Sequence, residues 1–447
     1  MGKSSATLMT EGPVWKRIVF FAIPVFWGNL FQQLYNTVDS LIVGNYLGSS
    51  ALAAVSSSGA LIFLMVGFFN GIAVGAGVVT AKYFGSKEYE KLQLSIHTIV
   101  AFGIICGVFF TIVGPFIAPV ILRLMGTPTE VLPMSITYFR IYFLGSFAFV
   151  MYNFFVGILQ AVGDSKNPLK YLIISSIINV ILDLLFIAVF KFGVGAAAFA
   201  TIISQFISAF LCLIRLLRNP EFIRLHINKI RIDKDILKQV ISNGIPAGIQ
   251  NSVISIANIF VQSNINSFGE MAVAGCGSYM KIQGFGFLPI TCFAMALTTF
   301  ISQNLGAHEY KRAKKGAVFG VICSVTLAEI IGIFIYILIP YLVSAFSKTP
   351  EVIRIGTMQA RTDSLFYFLL AYSHCMAGIF RGSGRSKVPM YVMLICWCAI
   401  RVSYITVALH FVNDIQMIFW AYPITWTLST IAFTIYYKKS DWIHGLE

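Results

Sequence analysis

Apolar stretches long enough to cross a bilayer recur along the whole chain, and they leave little room for any other kind of fold. A membrane span needs roughly 20 mostly apolar residues. Twelve can be marked, at 17–43, 53–80, 94–118, 131–158, 169–190, 193–217, 240–266, 271–301, 316–339, 352–379, 388–410 and 414–437. Of the 447 residues 57% are hydrophobic and 11% charged, whereas a soluble domain carries about a quarter charged residues. Continuous hydrophobicity over such lengths excludes a β-barrel, whose strands alternate over about 10 residues. The expected fold class is an all-α polytopic membrane protein with twelve transmembrane helices.

Loop charge tests this threading. With the N-terminus and every second loop on one side, and basic residues in the first or last three positions of a span counted with the adjoining loop, that side holds 24 of the 32 Lys and Arg. The other side holds 4 (Arg123, Lys191, Lys348 and Arg354), and Arg140, Lys281, Arg361 and Arg401 fall inside spans. Cytoplasmic loops carry the positive excess, so a multi-pass protein of the cell membrane with both termini in the cytoplasm is expected. The net charge of +14 is scattered over short loops and forms no basic face of the kind nucleic acid requires. The eight cysteines are embedded in apolar runs without CxxC spacing, which reads as small membrane-helix residues and no metal site. The polar N-terminus shows no small-residue cleavage site, so the first apolar segment is expected to be retained.

The chain repeats itself at an offset of about 221 residues. GILQAVGDSKNP (157–168) lies over GIFRGSGRSKVP (378–389), and KYFGSKEYEK (82–91) over QNLGAHEYKR (303–312). Each half holds six spans, so both enter the membrane from the same side and the repeats are parallel. The expected division is an N-lobe at 1–217, a cytoplasmic linker at 218–239 read as a surface amphipathic helix, and a C-lobe at 240–447. Two like-oriented lobes suit a transporter that exposes a cleft to either side in turn.

Ionisable residues inside spans are costly in lipid, so each is informative. Asp39 lies in the first span, and Asn179 and Asp183 lie four apart on one face of the fifth. Thr201 in the sixth adds a hydroxyl. Two close carboxylates cannot both stay charged cheaply, so such a pair exchanges a proton or shares Na+. The competing reading is that each acid pairs structurally, with Arg140 or a backbone group. In the second half Glu329, Asp363, His374 and Arg401 are the candidates for a second polar site, with mutual pairing the alternative. Catalytic signatures such as HExxH, GxSxG and the P-loop are absent from the sequence, so an enzyme is not expected.

Twelve spans in two repeats, NTVDSLIVGNYLG at the end of the first span, AKYFGSKEYEK after the second, and GILQAVGDSKNP with its later counterpart together resemble the multidrug and toxic compound extrusion (MATE) family. The resemblance implies a V-shaped pair of six-helix lobes. It also implies secondary active efflux of amphipathic, mostly cationic compounds in exchange for H+ or Na+. One branch of that family has a cation site whose pattern is matched by Asp39, Asn179, Asp183 and Thr201, with a proline, here Pro24, thought to bend the first span. Another branch uses a glutamate in the seventh span, where IPAGIQNSVISIANIF has no acid; the resemblance therefore favours the first lobe. No cofactor beyond the transported ion is implied, the partners are small cationic substrates and the bilayer, and a monomer is expected. The alternative within the wider superfamily is a lipid-linked sugar flippase.

Overall fold

The computed structural model describes residues 7–124 and 129–446; the side chains of 49, 50, 52, 53, 56–61 and 124 are not among them. Residues 1–6, including the Lys3 of the charge count, lie outside the described residues. Every regular element described is helical. In order, these are α1 (Val14–Leu47), α2 (Ser49–Gly85), α3 (Tyr89–Leu124), α4 (Leu132–Leu144), α5 (Ser146–Ala161), α6 (Lys166–Asp183) and α7 (Gly195–Leu217). Then follow α8 (Lys234–Asn266), α9 (Glu270–Gly306), α10 (Tyr310–Ser344), α11 (Pro350–Asp363), α12 (Tyr367–Gly382), α13 (Lys387–Met393), α14 (Arg401–Phe411) and α15 (Ile415–Lys439). A π-helical segment, Leu184–Val189, extends α6, and another, Leu394–Ile400, joins α13 to α14. Ten helices, among the described residues, are long and apolar enough to cross a bilayer, and α4 with α5 makes an eleventh span bent by 50°. α11 and α12, separated by a 3-10 turn, cover the remaining predicted span, which is less apolar because α11 carries Glu351, Arg354, Arg361 and Asp363.

By packing, the chain forms two units. One comprises Met1–Leu8 and Trp27–Gly244, the other Met9–Phe26 and Ile245–Glu447. The changeovers fall inside helices, α1 at Phe26/Trp27 and α8 at Gly244/Ile245, and each has a proline within two residues or so, Pro24 and Pro246. A proline removes one helical hydrogen bond, so each helix changes unit near its weakest point.

The duplication is written into the backbone. Residues with positive φ recur at matched positions: Gly48 and Gly269 (87° and 92°), Lys87 and His308 (60° and 58°), Gly163 and Gly384 (79° and 75°). Close packing recurs too. A Cβ on Gly157 would come within 2.7 Å of the Ala73 carbonyl, and one on Gly378 within 2.4 Å of the Ala294 carbonyl. Those glycines open the two copies of the GI…G…SK.P motif, and they let backbones meet as small residues do between membrane helices.

Two predicted spans, 131–158 and 352–379, are broken instead of continuous. The first breaks at Gly145, where any Cβ would meet Ile202 at 2.4 Å. The freed N–H of Phe147 donates to the Thr111 hydroxyl on α3 at 3.0 Å. The second breaks through the 3-10 turn Ser364–Phe366. There the N–H of Phe368, 221 residues after Phe147, donates to a Glu329 carboxylate oxygen on α10 at 3.3 Å. The two breaks are the same device with different caps.

The linker also differs from expectation. It is no amphipathic helix but two 3-10 turns, Glu221–Ile223 and Ile227–Lys229. They are held on α3: Gln93 donates to the Glu221 carbonyl (2.7 Å), the His226 N–H to His97 Nε2 (3.0 Å), and the Asp233 N–H to the Thr98 hydroxyl (3.1 Å). Backbone groups committed to α3 are lost to a helical ladder.

Candidate functional site

Asp39 sits eight residues before the end of α1, and Asp183 is the last residue of α6 before its π-helical extension. Single π turns are rare and concentrate at functional sites. Asn179 lies one turn before Asp183 on the same face. Asp183 and Asn179 are buried, at 0% and 1% exposure. The carboxyl groups of Asp39 and Asp183 lie within hydrogen-bonding reach of each other. Two carboxylates are both acceptors, so only a shared proton or a cation can join them.

Five polar atoms of this cluster are buried without a hydrogen-bond partner among the described residues: Asp39 Oδ1, Asn179 Nδ2 and Oδ1, and both Asp183 oxygens. Each such group costs roughly 1–3 kcal/mol, so the cluster is not built for stability. No Lys, Arg or His nitrogen lies within 4.0 Å of either acid among the described residues. Structural pairing with Arg140 is not what the structure holds: that side chain is exposed and its Nε donates to the Pro115 carbonyl at 3.1 Å. The orphaned oxygens fit a proton or a hard monovalent ion. No group of three His, Cys, Asp or Glu that could hold a metal ion occurs among the described residues.

Three tyrosines complete the setting. Tyr35, one turn before Asp39, and Tyr138 on α4 lie near both acids, and Tyr142, one turn after Tyr138, is within reach of Gln205 on α7. These groups escaped the sequence reading, although 35/39 and 138/142 are four-residue spacings that align side chains on one helix face. Thr201 lies on α7, where its hydroxyl donates to the Ala197 carbonyl at 3.0 Å, leaving its oxygen lone pairs as acceptors. Pro24 is buried within α1 in the stretch that packs with the second unit, whereas Asp39 lies in the stretch that packs with the first.

In the second unit Asp363 and Arg401 are buried, at 0% and 2% exposure, close enough to feel each other's charge. Arg401 donates to the Thr425 hydroxyl (3.0 Å) and lies over the rings of Tyr422 (4.6 Å) and Trp397 (5.6 Å). His374 meets the other part of this group, its ring 5.5 Å from that of Trp397. Glu329 is placed elsewhere, at the α11–α12 break described above.

The MatE family model matches the chain twice, over residues 24–185 and 246–406. The chain belongs to the MatE family. The two matches coincide with the repeats, and the described helices accord with a twelve-helix, two-repeat membrane protein. The probable multidrug resistance protein YoeA of Bacillus subtilis is 29% identical over 95% of this chain and 94% of its own length. The multidrug export protein MepA of Staphylococcus aureus is 21% identical over 84% and 83%. Among solved structures, an outward-facing multidrug resistance MATE family transporter of the MOP superfamily superposes with a TM-score of 0.90 at 23% identity, covering 98% of each chain. That likeness establishes the fold.

Proposed function

We propose that this chain is a secondary multidrug efflux antiporter. It exports amphipathic, mostly cationic compounds by alternating access in exchange for H+ or Na+. Asp39, Asn179, Asp183 and Thr201 form the coupling cluster and Pro24 is the point at which α1 bends. The observation that carries this reading is the Asp39–Asp183 pair, a half-buried and a fully buried acid within reach of each other with no cationic side chain within 4.0 Å among the described residues.

The cluster's chemistry is that of a reversible cation holder. A bound proton or Na+ cancels repulsion between the carboxylates; its departure restores it. Because Asp39 and Pro24 share one helix, a change of charge at Asp39 is felt along α1, which yields most easily where proline has removed a hydrogen bond. A proton or Na+ moving inward across the cell membrane gains about 2.3 kcal/mol per 100 mV, and that drives the cycle. Tyr35 and Tyr138 supply hydroxyls able to orient either carboxyl.

The flippase alternative draws less support. A site for a lipid pyrophosphate needs several free arginines, yet Arg140 is engaged by a carbonyl and Arg401 by Thr425 and two rings, which leaves Arg361 alone of the three without a hydrogen bond among the described residues. The test is efflux of a cationic dye from proteoliposomes under a pH gradient alone and an Na+ gradient alone. One gradient should drive efflux in the wild type and fail in Asp39→Asn and Asp183→Asn. Full efflux in both variants would overturn the assignment.

A further inference from the structure

Arg140 and Arg361 occupy matched positions of the two repeats, 221 residues apart, and each faces a matched residue, Pro115 on α3 and Tyr336 on α10. Four residues beyond each of these stands a proline, Pro119 and Pro340, which cannot donate the N–H that the preceding turn's carbonyl would accept. In the first repeat Arg140 satisfies that carbonyl. In the second, Arg361 does not: its guanidinium lies over the Tyr336 ring, 5.4 Å from the centroid, with no hydrogen bond or ion pair among the described residues.

Arg361 is eleven residues into α11 from Pro350, roughly 16 Å along the axis at 1.5 Å per residue. An unpaired arginine at that depth is costly in lipid. It lines a cavity of about 630 Å³ between α10, α11, the following turn and the start of α15. Thr357, one turn before Arg361, lines the same cavity and its Oγ1 is buried without a partner. Arg354 is already neutralised by two contacts to Glu351, at 3.0 and 2.7 Å. The cavity therefore carries one net positive charge. Apolar surface on α10 runs on from it, with Ile337 60% and Tyr341 75% exposed.

We propose that this cavity seats the phosphate of an anionic membrane phospholipid from the leaflet bordering the Lys348 loop. Arg361 is its counter-charge, the Thr357 hydroxyl a second donor, and α10 the bed of its acyl chains. Charge, a donor and an adjoining apolar strip match an anionic amphiphile, whereas a soluble anion would leave the strip unused. One basic residue near an anionic surface is worth about 1 kcal/mol, so about fivefold enrichment of anionic lipid is expected.

Trp420 lines the cavity and reports on it. The full chain is placed in nanodiscs containing brominated phosphatidylglycerol or, at equal fraction, brominated phosphatidylcholine. Quenching attributable to Trp420 is obtained by difference from Trp420→Phe. Phosphatidylglycerol should quench several-fold more per lipid. That preference should vanish in Arg361→Gln, persist in Arg361→Lys, and be unchanged in Arg140→Gln. Equal quenching by the two lipids in the wild type, where folding is not in question, overturns the proposal. So does a preference that survives Arg361→Gln. Stabilisation by inorganic phosphate in phosphatidylcholine discs, equal to that given by phosphatidylglycerol, would assign the cavity to a soluble anion and overturn the lipid.

Discussion

Asp183→Asn separates two uses of a buried acid. If Asp183 served stability, its loss would weaken the protein. The geometry argues the reverse, because Asp183 faces Asp39 with no cation nearby. Were both ionised, two like charges in such contact would repel by about 4 kcal/mol at about 4 Å and an effective dielectric of about 20, an upper bound that a shared proton lowers. An amide of the same shape removes that repulsion and supplies donors to Asp39. Asp183→Asn should therefore raise the unfolding temperature in detergent by a few degrees while abolishing ion-driven efflux. A second readout ties the energy to the ion. Whichever of added Na+ or acidification stabilises the wild type should leave the variant unmoved, since the repulsion it relieves is gone. The assay is thermal unfolding followed by intrinsic fluorescence, with and without the ion, beside dye efflux from proteoliposomes. A variant that keeps the wild-type response to the ion, or loses stability while still transporting, refutes the argument.

At the second break, Glu329→Gln keeps an acceptor for the Phe368 N–H and should transport normally, whereas Glu329→Leu strands that N–H and should cost about 1–3 kcal/mol, read as a fall in unfolding temperature. Gly378→Val drives side-chain atoms into the Ala294 carbonyl, which even a Cβ would approach to 2.4 Å; sharply reduced folded yield on size exclusion is expected, with Gly378→Ala milder. Arg401→Ala removes the hydrogen bond to Thr425 and the positive charge that buried Asp363 feels and should cost about 1–3 kcal/mol. Adding Asp363→Asn to it should restore much of that loss in a double-mutant cycle.

Hydropathy, loop charge and identity at a fixed offset are properties of the chain in one dimension, and they carried the fold a long way. Asp39, Asn179 and Asp183 stood out because lipid penalises polar groups wherever they occur in a span. The breaks in the fourth and tenth spans did not stand out. Gly145 sits in an unbroken apolar run, and the groups that make its break tolerable come from α3 and α7, far along the chain. The linker was misjudged for a related reason: its turns are set by Gln93, His97 and Thr98, and nothing in residues 218–239 announces them. Tyr35, Tyr138 and Tyr142 are a different kind of omission. Their four-residue spacing was available, but in a chain with 19 Tyr and 40 Phe an aromatic pair draws no attention until an acid is seen beside it.

The two repeats also show how one scaffold can handle buried charge in two ways. Asp39 matches Phe260 and Asp183 matches Tyr404, while Asp363 and Arg401 match Tyr142 and Val180. None of these in-span acids is shared between the copies. In the second unit Asp363 feels the charge of Arg401, which is itself held by Thr425 and two aromatic rings, but both Asp363 oxygens are buried without a hydrogen-bond partner among the described residues. In the first unit two acids face each other with no Lys, Arg or His nitrogen within 4.0 Å among the described residues, which is the arrangement the proposed ion exchange uses. Coupling as proposed needs an ion that can leave, since a ligand shifts an equilibrium only by its differential affinity for two states. The proposed ion exchange draws its support from the first unit because two acids face each other there, whereas Asp363 has a fixed positive charge nearby.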